Sequence, residues 1–134
     1  MARGVVVVTK AKSYAETPLD AWNTRHFQQY LADEHVKHYG ITYVSRMPYR
    51  AEAGLIGGYI GTARKAGKFP KAVVKRFIDR CFASYRPTEQ FPGLSFWFMH
   101  TYMSGELQKA QIDVKRAEET AKMTQEMEDL SGWL

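Results

Sequence analysis

Pro70-Lys-Ala-Val-Val-Lys-Arg-Phe-Ile-Asp-Arg-Cys-Phe-Ala-Ser-Tyr85 decides the fold class. Val74, Phe77, Ile78, Cys81 and Tyr85 recur at helical spacing on one side, while Lys71, Lys75, Arg76, Asp79 and Arg80 occupy the other. This is an amphipathic helix with an apolar face to bury, and Pro87 stops it.

Upstream, Leu55, Ile56, Tyr59, Ile60 and Ala63 predict a helix over residues 50–66. Gly54, Gly57, Gly58 and Gly61 weaken it by about 1 kcal/mol each relative to alanine, so tertiary packing must support it. Close approach of another helix to the 54/58 and 57/61 faces is the expected reason for these glycines. Before it, Ile41-Thr-Tyr-Val44 suits a short strand, and Arg46-Met-Pro-Tyr-Arg50 a surface turn. An earlier helix starts either at Thr17-Pro18 or at Asn23, buries Phe27, Tyr30 and Leu31, and ends near Gly40. The β-branched run Val5–Val8 suits a further extended segment.

Downstream, a turn-rich stretch over residues 87–93 leads into Leu94-Ser-Phe-Trp-Phe-Met99, too apolar to remain in water and expected to plug the core. Leu107, Ala110, Val114, Ala117 and Ala121 then follow a heptad-like spacing on a long charged helix. That helix either folds back on the domain or projects from it. The expected fold is a mainly α, compact helical domain with minor β structure, winged-helix-like in one form, and a long C-terminal helix. Residues 1–16 form an extended segment, 17–104 the core domain, and 105–134 the helix and acidic tail.

The 134 residues suit one domain. A single cysteine, Cys81, excludes an intramolecular disulfide or a cysteine-rich zinc site and fits a reducing compartment. No stretch is long and apolar enough to span a bilayer, so a cytoplasmic protein without membrane contact is expected, in the host cell if it is phage-encoded. Gly61 is followed by Thr62-Ala-Arg64 and not by the lysine of a nucleotide-binding loop. His35 and His38 sit one turn apart without a third metal ligand and read as a surface pair beside Glu34. His26 and His100 stand alone, and no serine or cysteine occupies a nucleophile context. The expectation is a protein with no enzymatic activity, catalytic residue, metal or cofactor.

Charge is unevenly distributed. Residues 1–93 hold fifteen Lys/Arg against seven Asp/Glu, and residues 94–134 hold four against seven. Within residues 64–80, Arg64, Lys65, Lys68, Lys71, Lys75, Arg76 and Arg80 face only Asp79, a density that attracts a polyanion. Arg46 and Arg50 extend this nucleic-acid-binding set, with Tyr49, Tyr59, Tyr85 and Arg86 as stacking or phosphate contacts. Lys68, Lys71, Lys75 and Arg76 are expected to dominate phosphate neutralisation. At the other end Glu126, Glu128, Asp129, Leu130, Trp133 and Leu134 compose a partner-binding tip. Its acidic run before an aromatic and an aliphatic residue is similar to the C-terminal tip of bacterial single-stranded-DNA-binding proteins, although Leu134 stands where that family ends in Pro-Phe.

Trp22-Asn-Thr-Arg-His-Phe27-Gln-Gln-Tyr30, Tyr39-Gly-Ile-Thr-Tyr43, the helix over residues 73–85 and Pro92-Gly-Leu-Ser95 together resemble small phage-encoded proteins of replication and DNA metabolism. The resemblance covers residues 22–99. It implies a helical, sometimes winged-helix-like, nucleic-acid-associated factor of the replisome-organiser or helicase-loader kind. Two functions follow as expectations. One is an accessory factor of DNA replication or transcription, contacting DNA or RNA and recruiting a protein of that machinery. The other is a protein-binding adaptor or inhibitor without nucleic-acid contact. A homo-oligomer held through the 107–121 seam is a third.

Overall fold

The computed structural model describes residues 13–132. The Val5–Val8 segment, Trp133 and Leu134 lie outside the described residues. Two 3-10 turns, Tyr14–Glu16 and Leu19–Ala21, lead into α1 (Thr24–Tyr39), followed by α2 (Tyr49–Ile60), α3 (Lys71–Ser84), α4 (Phe96–Tyr102) and α5 (Ser104–Ser131). The chain is mainly helical, as its periodicities require.

Of the two candidate starts for the first helix, Asn23 is the one used. Its side-chain oxygen accepts the His26 N–H (3.1 Å), and the His26 ring accepts the Asn23 N–H (2.9 Å). Trp22, just outside, packs edge-on against Phe27 in the first turn at 5.0 Å, a hydrophobic staple that fixes how the chain enters α1. Thr17-Pro18 instead opens only a 3-10 turn. There the Thr17 carbonyl accepts the Trp22 indole N–H at 2.9 Å. At the far end Gly40 adopts φ +73° and closes α1, as expected.

α3 lies at the centre. Val74, Phe77, Ile78 and Cys81 are fully buried, and the neighbouring Val73 and Phe82 nearly so. Around Phe77 stand Tyr59 of α2, stacked at 6.1 Å, and Phe96 of α4, edge-on at 6.2 Å. The 94–99 plug is real: Leu94, Ser95, Phe96 and Met99 are buried, with Ser95 capping α4 by accepting the Phe98 N–H.

Three expectations are corrected. First, residues 41–44 form no strand; among the described residues the one β-type pairing is the isolated bridge Gly61–Ala66, so no wing exists there. Among the described residues no second strand lies beside it, and the segment is held by side chains. The Tyr43 hydroxyl donates to buried Glu52 of α2 and accepts the Phe96 N–H (3.0 Å), while Gln28 of α1 donates to the same carboxylate (3.1 Å). Burial, then the Glu52 charge, pushes the Tyr43 phenol well above its ordinary value and keeps it a donor.

Second, His35 is buried, not superficial. Its Nε2 accepts the Leu94 N–H at 3.0 Å, so the neutral ring carries its proton on Nδ1 and donates it to the Ile41 carbonyl at 3.0 Å. One imidazole thus ties the segments before α2 and α4 to α1. His38 remains at the surface, 3.4 Å from Glu34 and stacked on Phe82.

Third, α2 stops at Ile60, six residues short of the prediction, and of the glycines at 54, 57, 58 and 61 Gly57 alone faces another helix, where an added Cβ would lie 3.7 Å from Thr24 of α1. Gly61 turns the chain at φ +93°, and a Cβ on Gly67 would come within 2.3 Å of the Ile60 carbonyl carbon. The backbone crosses itself here, which ends the helix. A Cβ on Gly54 would meet nothing within 4 Å.

Opposite effects are therefore expected from one substitution at two glycines. Gly54→Ala should raise unfolding stability by up to about 1 kcal/mol by reducing unfolded-chain freedom and restoring helix propensity. Gly67→Ala should lower it by about 2 kcal/mol or more, because backbone must move. Urea unfolding of the two variants checks both signs.

Candidate nucleic-acid and partner surfaces

The seven cations of residues 64–80 do not form one surface. Arg64, Lys65 and Lys68 are exposed on the loop joining α2 to α3 and enter no ion pair within the described residues. The loop is closed by its own backbone: Thr62 N–H donates to the Lys65 carbonyl (2.7 Å), and Phe69 N–H to the Tyr59 carbonyl (2.9 Å). Its conformation is therefore fixed before anything binds. No Asp or Glu occurs between Glu52 and Asp79.

The four cations on α3 are engaged. The Lys71 ammonium donates to the Asp20 carbonyl (3.0 Å). Lys75 pairs with Asp79 (3.0 Å) and lies 4.9 Å above the Tyr30 ring, whose hydroxyl also donates to Asp79. Arg76 and Arg80 both reach Asp113 of α5 at 2.8 Å, and Arg80 also reaches Glu106 at 2.9 Å. The charged side of α3 is thus largely a seam against α5. Hydrogen bonds from Arg76 and then Arg80 hold the Asp113 carboxyl below its usual range, and those from Arg80 to Glu106 and Asp113 raise the guanidinium further.

Arg46 and Arg50 lie toward the opposite end of α2, separated from the loop by about 17 Å of helix at 1.5 Å per residue. The Arg46 guanidinium sits 5.2 Å over Phe91, beside exposed Ile41 and Val44, where the 41–46 and 90–95 segments bound a small cleft. Of the aromatic residues expected to stack on a ligand, Tyr49 is exposed. Tyr59 is buried and hydrogen-bonded to His100 (2.8 Å), and the Tyr85 hydroxyl donates to the Phe91 carbonyl (2.6 Å). Phe91 escaped the sequence reading because it lies in an aperiodic loop; its contact with Arg46 is visible only in three dimensions.

α5 both folds back and projects. Leu107, Ala110 and Val114 pack against the core, with Ala110 fully buried, whereas every described residue from Lys115 on is exposed. The predicted seam thus ends at Val114; Ala117 and Ala121 face solvent because no core lies beneath them. The outer part, about 25 Å long at 1.5 Å per residue, carries Glu126, Glu128, Asp129 and Leu130 of the predicted tip. Between α3 and the inner half of α5 runs an open groove of about 470 Å³, lined by Lys75, Arg76, Asp79, Asp113 and Arg116 among others.

Two buried side chains that could carry chemistry, Cys81 and His35, are held in the core. Burial pushes the Cys81 thiol well above its ordinary value, and both nitrogens of His35 are occupied by backbone groups. Among the described residues no cluster of His, Cys, Asp or Glu could hold a metal ion, and no helix is long and apolar enough to cross a membrane. Comparison with protein-family models, curated proteins and solved structures found no match to this chain.

The folded Asp113 has the lower pKa, so its contribution to stability is present above the unfolded aspartate range, near about pH 4. It is lost as pH falls through the folded value. Asp113→Asn should therefore be less stable than wild type at neutral pH, with the difference shrinking in acid and at high salt. Thermal melts across pH and ionic strength measure this.

Proposed function

We propose that the protein is a non-enzymatic accessory factor that contacts nucleic acid through Arg64, Lys65 and Lys68 and a protein partner through the outer half of α5. The observation that carries the reading is three cations within five residues, exposed, outside every ion pair described, on a loop whose backbone is already closed. A pre-formed loop loses little conformational freedom on binding, so the gain from releasing phosphate counterions is not spent on ordering the protein. Arg46 and Arg50, with exposed Tyr49 and Phe91 nearby, supply a second contact. Its distance of about 17 Å matches roughly five steps of a nucleic-acid strand at 3.4 Å each.

This moves the phosphate contacts away from Lys71, Lys75, Arg76 and Arg80, whose partners are internal, and toward the two ends of α2. The setting suggested by the resemblance of residues 22–99 is phage DNA replication or transcription. A second reading, a protein-binding adaptor without nucleic-acid contact, draws support from the neutralisation of Arg76 and Arg80 by Glu106 and Asp113.

Fluorescence anisotropy with labelled single- and double-stranded DNA and RNA separates them. The Arg64/Lys65/Lys68→Ala variant should lose about tenfold or more in affinity near 50 mM salt, and its log–log salt slope should be shallower by about 2 to 3. Arg76→Ala should change affinity much less. Absence of wild-type binding to any of these nucleic acids at low salt would overturn the nucleic-acid reading and leave the adaptor reading standing.

A further inference from the structure

The outer half of α5 has a second stripe that the sequence periodicity of the inner half conceals. Met123, Met127 and Leu130 are 63%, 67% and 68% exposed, and Ile112 is 48% exposed. At about 100° per residue these four fall within a sector roughly 60° wide, on the side of the helix opposite Leu107, Ala110 and Val114. One face of α5 is therefore spent on the domain; the other carries Arg116 just past the last docked turn and is apolar from Met123 outward, where Met123, Met127 and Leu130 form the stripe. Spacings of four and three over Met123, Met127 and Leu130 are those of a two-helix seam, and methionine adapts its shape to an incoming side chain.

The flanks say what can lie on it. Glu119 and Glu126 run along one edge, at the positions that choose a partner by charge in paired helices, whereas Thr120, Thr124 and Ser131 run along the other. Residues 117–132 hold five Asp/Glu and one Lys. A second copy would bring two such acidic segments together, and its like charge disfavours that pairing. A helix whose apolar seam is edged by lysine or arginine meets both the stripe and the acidic flank.

Resting on the reading of α5 as the partner-binding element, we propose that Met123, Met127 and Leu130 seat a basic amphipathic helix of another protein, with Glu119 and Glu126 selecting it. The probe is a labelled peptide of about three heptads with leucine at the seam and lysine on both flanks, beside its glutamate counterpart. The full chain should bind the lysine peptide and not the glutamate peptide. Met127→Glu should weaken binding about tenfold or more, and Glu119→Lys/Glu126→Lys should exchange the preference between peptides. Circular dichroism confirms that these exposed substitutions leave the fold intact.

Failure to bind either peptide, or equal binding of the lysine peptide by wild type and Met127→Glu, overturns the proposal. So does sedimentation showing a wild-type dimer that Met127→Glu converts to monomer, since the face would then belong to a second copy. Nucleic-acid binding by the Arg64 loop is read separately by anisotropy, so loss of one activity is distinguishable from loss of the other.

Discussion

Burial of the Val74, Phe77, Ile78 and Cys81 face of α3 is the contact on which the other elements converge. α2 brings Tyr59 and α4 brings Phe96 to the same phenylalanine, and the stapled start of α1 completes the apolar surround. A large side chain removed from water contributes about 1.5 to 3 kcal/mol, whereas an exposed ion pair contributes about 0 to 1 kcal/mol. The exposed ion pairs orient helices; the aromatic cluster holds them.

The same helix explains why a run of positive charge is a poor guide to a binding surface. The acidic partners of Arg76 and Arg80 lie on α5, 26 to 37 residues away in sequence, where a local charge count does not find them. Once α5 docks, Arg76 and Arg80 are paired with carboxylates of the same chain. The loop cations Arg64, Lys65 and Lys68, read in sequence as part of the same cluster, enter no ion pair among the described residues. Available charge, rather than total charge, sets the affinity for a polyanion.

Most of the helices were legible because their apolar spacing is regular and their caps are explicit, as at Asn23 and Gly40. The strand at residues 41–44 was misread because β-branched and aromatic residues also suit an extended segment pinned by side chains. Tyr43 is aromatic here for its hydroxyl, which reaches Glu52 and Phe96. His35 was misread as superficial because its partners are backbone groups with no sequence signature. The early end of α2 follows from a backbone crossing of Gly61 and Gly67 that spacing does not reveal. For the candidate surfaces, charge sign was legible and charge pairing was not.

α4 and α5 share a single non-helical residue, Met103, and the α5 direction is then set by its contacts as far as Val114. Beyond that point the helix is a lever of about 25 Å, so a tilt of about 10° at the last docked turn carries its tip through roughly 4 Å. Small rearrangements of the α3–α5 seam are thereby amplified at the tip. The direction of the tip is thus decided at the last docked turn, and the core that carries α5 need not loosen for the tip to point elsewhere.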